Sequence, residues 1–294
     1  GNNSNAGTSW ALRKLTLNSA EDIPVVAGDT VYVGPGTYRE TLTLDVDGTA
    51  GNIISYIGDY TGVNTDGIGG VVRITGSDND QTATRSNCIT GSEQNYRTFI
   101  GFMMDTTTGR LFATSNGLDH NTFQKCMFVV GAGTGLYCSG SAVMTNNLIA
   151  NCVFWGRRNQ DSILFSYTTA QVDNSGNVIQ NSLFLGGSSS IHVNRIGGVT
   201  VKNNVFLWQG STGGSAGVYS ETALTGGQTT TVNNNIFNGC GIAVAGQAGN
   251  ADITEDYNTF YANSTDRTNV NTGANSKTYP PLFDPLWFFQ LVFA

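Results

Sequence analysis

Residues 179–184 read IQNSLF, residues 201–206 read VKNNVF and residues 232–237 read VNNNIF. The shared pattern is apolar, any residue, Asn, any residue, apolar, Phe. It extends back through IANCVF (149–154) to FQKCMF (123–128), and forward to a worn copy, EDYNTF (255–260). The closing residues Phe128, Phe154, Phe184, Phe206, Phe237 and Phe260 are 26, 30, 22, 31 and 23 residues apart. Self-similarity at a period of this length marks a solenoid or a related array.

A second motif interleaves with the first. Leu136, Ile163, Ile191, Val218 and Ile242 open the short apolar runs GLYC, SILF, SIHV, GVYS and GIAV, at steps of 27, 28, 27 and 24. Each run is short, alternating and rich in β-branched residues, which predicts strands. One coil then holds three strands and three bends. About ten coils stacked at the ~4.8 Å spacing of parallel strands make a rod about 50 Å long. The expected architecture is all-β: a single-stranded right-handed parallel β-helix, one solenoid domain over residues 1–294. Within it, 1–30 form the N-terminal cap and first coil, with SWALRKL (9–15) as a short helical cap. Residues 279–294 form a C-terminal cap or a truncated continuation. An uncovered end would expose core and strand edges.

The register makes side-chain predictions. Ile149, Ile179, Val201 and Val232 stack in one interior row and the repeated Phe residues in another. Leu136, Ile163, Ile191, Val218 and Ile242 line a third. Asn151, Asn181, Asn203 and Asn234 mark a bend where Asn tolerates a left-handed backbone, and their stacked amides can form a ladder. Cys126 and Cys152 occupy equivalent places and read as small stacked core residues, not a disulfide.

Composition narrows the function classes. Of 294 residues only 12% are charged and the formal net charge is −7, with 38 glycines and five prolines. Fourteen Lys and Arg residues in an acidic chain provide no electrostatic footprint for nucleic acid. No apolar run reaches membrane-spanning length. The composition fits an extracellular or virion-surface setting.

Three stretches, GNNSNAGTSW (1–10), AGDTVYVGPGTYRETLTL (27–44) and GTAGNIISYIG (48–58), resemble the N-terminal coils of pectate-lyase-like right-handed β-helix proteins. The chondroitinase-B and alginate-lyase group gives the nearest echo. The resemblance implies the fold over nearly the whole chain. It is less informative about activity, because the same opening occurs in lyases, hydrolases, adhesins and phage structural proteins. In the lyase group, calcium is held by Asn and Glu, a Lys acts as base and an Arg assists. Arg195 falls where that Arg would be. No acidic pair lies between Ser162 and Thr169, and no Lys is in that coil, so no catalytic residue is assigned.

Strand alternation places Tyr137, Leu164, His192, Tyr219 and Ala243 in an outward row. Aromatic faces along a rod can stack on sugar rings. Trp155, Arg157, Arg158 and Trp208 follow two of the Phe repeats and could rim the same groove, Arg recognising a carboxylate or sulfate. The candidate glycan-binding residues are therefore Tyr137, His192, Tyr219, Arg195, Trp155, Arg157 and Trp208. The competing reading is that they lie beneath loops or in a subunit contact. Asp78 and Asp80, like Asp45 and Asp47, have a spacing open to calcium or to a solvated turn. No other cofactor or metal is expected. Asp161 and Asp173 are the nearest approach to a carboxylate pair and read as turn residues. His120 and His192 are far apart in sequence.

Two functions remain open. One is a non-catalytic extracellular or virion-surface rod, a spike, decoration or adhesin that binds glycan or other surface proteins, with homo-oligomers among its forms. The alternative is a polysaccharide lyase or another polysaccharide-degrading enzyme.

Overall fold

The computed structural model describes residues 1–18, 25–141, 144–157, 159–167, 175–209, 216–221, 229–247 and 252–281. The repeat motifs form three parallel sheets wrapped around one interior. The first sheet has ten strands, beginning Thr30–Val33, Ile54–Gly58, Arg97–Ile100 and Thr122–Gln124 and ending at Asn271–Thr272. The second also has ten, from Gly36–Tyr38 to Lys277–Thr278, and the third nine, from Leu42–Leu44 to Thr265–Thr268. Every ladder pairs a strand with its counterpart one turn later, all in parallel. Among the described residues the chain makes nine three-strand turns and a two-strand tenth. It is a right-handed parallel β-helix, the sense that parallel crossovers take.

The N-terminal segment differs from expectation. Among the described residues it contains one 3-10 turn, Trp10–Leu12, with no buried residue, in place of a helical cap. Leu12 and Leu15 are exposed, so the apolar residues of SWALRKL do not form a packed face. Most of the apolar C-terminal run (282–294) lies outside the described residues.

The corner between the first and second sheets is two residues long in six consecutive turns, from Lys125–Cys126 to Tyr257–Asn258. Its first residue is left-handed every time: Lys125, Asn151, Asn181, Asn203, Asn234 and Tyr257 have φ between 53° and 58°. Asn tolerates that conformation better than most residues. The expected amide ladder forms one position later. Asn151, Asn181, Asn203 and Asn234 are exposed, because the left-handed residue turns its side chain outward. The next residue points in. Ser182 N–H donates to Asn204 Oδ1 at 2.9 Å, Asn204 N–H to Asn235 Oδ1 at 2.9 Å, and Asn235 N–H to Asn258 Oδ1 at 2.8 Å. Cys126 and Cys152 begin this same inward column, and all five cysteines are free and buried.

A second ladder, absent from the sequence reading, lines the corner between the third and first sheets. Asn121 N–H donates to Asn147 Oδ1 at 3.0 Å and Asn147 N–H to Asn177 Oδ1 at 3.2 Å. Their Nδ2 groups donate to the carbonyls of Gln94, Leu118 and Met144. Buried corners of this kind need such partners, since an orphaned peptide group costs about 1–3 kcal/mol.

The interior rows follow the repeat. Ile149, Ile179, Val201 and Val232 pair in register. The rings of Phe128, Phe154, Phe184, Phe206, Phe237 and Phe260 stack with centroids 4.6–5.4 Å apart and within 9° of parallel. Leu136, Ile163, Ile191 and Val218 align on the third sheet, but the fifth member is Val244, not Ile242. The bend from Asn238 to Ile242 holds only three residues, against five from Val130 to Leu136 and from Leu185 to Ile191, so Ile242 enters the strand two positions early.

Candidate functional site

The outward row of the third sheet is Tyr137, Leu164, His192 and Tyr219 in direct register, continuing to Ala245. Ala243, expected in this row, is buried, a consequence of the two-residue shift. The row is half-buried at its four larger positions. Arg110, one turn before Tyr137, places its guanidinium carbon 3.5 Å from the centroid of that ring.

His192 is held from both sides. Its Nδ1 lies 3.0 Å from Asp161 Oδ2 and its Nε2 lies 3.0 Å from Glu221 Oε2. Both ring nitrogens face carboxylates, so the doubly protonated imidazolium, which donates from both, satisfies the two contacts together. Burial of the ring pulls its pKa down. The hydrogen bond and charge of Asp161 and the charge of Glu221 outweigh that, leaving it above the ordinary histidine value. Asp161 is itself oriented, its Oδ1 accepting the Ser189 N–H at 3.1 Å. Tyr219 packs against His192 with ring centroids 5.0 Å apart, and burial with the Glu221 charge raises its phenol pKa. Three successive turns therefore contribute Asp161, His192, and the pair Tyr219 and Glu221.

The predicted glycan residues divide between two faces. Tyr137, His192 and Tyr219 share the third-sheet row. Arg195 stands on an exposed left-handed residue just past the strand Ile191–Asn194. Trp155 lies within the strand Val153–Gly156 of the second sheet, and Arg157 follows that strand, exposed. Trp208 is exposed and left-handed immediately after Val205–Leu207. Arg158 and Asp173 fall outside the described residues. The sequence reading missed Glu221 and treated Asp161 as a turn residue. The signal was positional: Asp161 lies two residues before Ile163 and Glu221 three after Val218, both beside the row that carries His192.

The other candidates are engaged elsewhere. Asp78 pairs with Arg85 at 2.6 Å, and Asp80 with Arg39 at 2.7 Å and Arg73 at 2.5 Å. Hydrogen bonds from Arg39 and Arg73 hold the Asp80 carboxyl down at about 2. Asp47 accepts from the Asn95 backbone and amide. His120 pairs with Asp119 at 2.8 Å and stacks on Tyr96. Among the described residues no group of three or more His, Cys, Asp or Glu side chains is placed to hold a metal ion. A groove of about 870 Å³ lies at the N-terminal end, lined by residues including Trp10, Arg13, Lys14, Tyr32 and Tyr38, five turns from His192.

With this geometry, the molecule is a parallel β-helix protein with a polar cluster on one outer face. An alginate lyase from Paenibacillus sp. str. FPU-7 shares the fold: 16% identity, TM-score 0.59, covering 87% of this chain and 96% of that one. The A-module of a mannuronan C-5 epimerase from Azotobacter vinelandii aligns over 90% of this chain and 94% of its own, at 16% identity and TM-score 0.46. No protein-family model matches the chain, and no curated protein matches it by sequence.

Proposed function

We propose that the protein acts on polysaccharide, with the sugar chain lying along the third face and His192 as the acid–base group. The observation that carries this reading is the seating of His192 between Asp161 and Glu221 in the outward row. In lyase cleavage a base takes the proton alpha to the uronate carboxyl, the bond to the leaving oxygen breaks as the double bond forms, and an acid protonates that oxygen. The Glu221 carboxylate is the candidate base and the His192 imidazolium the acid. Asp161 and Glu221 orient the ring and stabilise its charge. Tyr219 and Leu164, on either side of His192, offer apolar surface to a sugar ring. The alginate lyase of the same fold makes lyase cleavage of a uronate-containing chain the first reaction to test, with Arg195 as the candidate group for a uronate carboxylate.

The test is incubation with uronate-containing and neutral polysaccharides, following the absorbance of unsaturated products and the appearance of new reducing ends. Wild type yields product, and His192→Gln loses roughly 100-fold or more in rate while remaining folded at the assay temperature by circular dichroism. No product from any polysaccharide, or a full rate in His192→Gln, overturns the proposal.

A second reading is favoured by Arg110, which covers one face of Tyr137 with the protein's own side chain. In it the protein is a non-catalytic rod on an extracellular or virion surface, holding glycan or neighbouring surface proteins without turnover. Binding without product in the same assay selects it.

A further inference from the structure

The second face carries exposed aromatics that the third-face site does not use. Trp155 is 57% exposed, Trp208 65%, Tyr261 40% and Tyr279 53%. Trp155 and Tyr261 occupy one column, linked turn by turn through Leu185, Leu207 and Asn238. Each follows an inward Phe of the central stack, Phe154 or Phe260, so alternation turns its ring outward. Trp208 stands one position further along its turn. The residues before and after it in that column are Gly186 and Gly239. A Cβ on Gly239 would meet Trp208 Cδ1 at 3.0 Å, so the indole lies close over bare backbone.

The spacing along the rod carries chemical information. Trp155, Trp208 and Tyr261 sit on alternate turns, the fifth, seventh and ninth. Two turns at ~4.8 Å make roughly 10 Å. That is the length of one disaccharide in an extended β-1,4-linked glycan. In such a ribbon each sugar is flipped relative to the last, so the same apolar ring face returns once per disaccharide. On the intervening turns Leu185 and Asn238 are half-buried and leave room for the flipped sugar. Tyr279, one turn past Tyr261, is the last exposed aromatic of this edge among the described residues.

We propose that this edge is a binding platform for an extended β-1,4-linked polysaccharide lying parallel to the rod axis. Trp155, Trp208 and Tyr261 each stack on one sugar per disaccharide. Exposed Arg157, two residues past Trp155, meets acidic substituents where the polymer has them. The platform is separate from the His192 cluster and does not depend on that cluster being catalytic.

The test is co-sedimentation of the intact chain with insoluble cellulose and chitin, and affinity electrophoresis in soluble β-1,4-mannan against amylose, whose α-1,4 linkages coil the chain. Wild type is retained by the β-1,4 polymers and not by amylose. Trp155→Ala and Trp208→Ala each weaken retention about tenfold, equivalent to ~1.4 kcal/mol, and the double variant abolishes it with unchanged melting. Tyr261→Ala, at the far end of the row, weakens it independently. His192→Gln binds as wild type, which separates this platform from the third-face site. Failure of wild type to bind any β-1,4 polymer, equal retention on amylose, or undiminished binding by the folded double variant overturns the proposal.

Discussion

Replacing Phe184 by Ala tests the central stack where it is most continuous. Phe184 is fully buried, and its ring lies 4.9 Å from Phe154 and 4.8 Å from Phe206, within 6° of parallel to both. Truncating a core Phe to Ala costs about 3–5 kcal/mol, combining lost transfer energy and a cavity. The rigid turns on either side limit collapse into that cavity, so the upper part of the range is expected. Phe184→Leu keeps most of the volume but removes two ring contacts at ~0.5–1.5 kcal/mol each, a loss of about 1–3 kcal/mol. Phe128, the first parallel ring, has only Phe154 stacked on it, with Phe123 tilted at 60°. Phe128→Ala should therefore cost about 1 kcal/mol less than Phe184→Ala. Guanidinium denaturation of the intact chain measures the totals. Amide hydrogen exchange locates them, since each turn contacts only its neighbours and the loss should centre on the turns carrying Phe154, Phe184 and Phe206. A cost below ~1 kcal/mol for Phe184→Ala would refute stacking as the main support of this core.

Asn147→Ala leaves the Leu118 carbonyl and the Asn121 N–H without their partners. Two buried orphans cost about 2–6 kcal/mol together, measurable by urea unfolding. His192 titrates above the ordinary value of ~6.5 because the fold favours its imidazolium. Its contribution to stability is complete below the unfolded value and is lost as pH rises through the folded one. NMR titration of the ring proton should show that raised midpoint, and Asp161→Asn should lower it; a midpoint at or below the ordinary value contradicts the seating described. Burial pushes Cys88, Cys138 and Cys240 up to about 12. An aromatic disulfide reagent should react with none of the five cysteines in the native protein and with all five after denaturation; rapid native labelling would contradict the packing.

The period of the Phe and Asn residues made the solenoid legible, because each motif occupies the same place on every turn and the corner beside it has constant length. The rows through Ile149 and Phe154 followed directly. Legibility failed where bend length varies. Ile242 was assigned the place that Val244 takes because a three-residue bend precedes it where other turns have five. The amide ladder was placed one residue early because motifs such as VNNNIF put Asn at both corner positions, and only backbone sign decides which faces inward. The His192 cluster was harder still. Asp161 and Glu221 stand 31 and 29 residues from His192, across bends of unequal length, so no spacing rule links them. Asp78 and Asp80 were open to calcium in the sequence because nothing in their own spacing names a partner: Arg85 and Arg73 each lie seven residues away, on either side of the turn, and Arg39 lies 41 residues from Asp80.

The two-residue corner between the first and second sheets has a consequence for how such a molecule can change over time. It holds the same length through six turns, while the other two corners range widely. A fixed corner keeps successive turns in phase, so insertions elsewhere need not disturb the stack. Whole turns can be duplicated or deleted at a cost confined to one junction, lengthening or shortening the rod by ~4.8 Å per event. Reach along an extended polymer can thus evolve by counting turns, while the chemistry on each face evolves by exchanging loops.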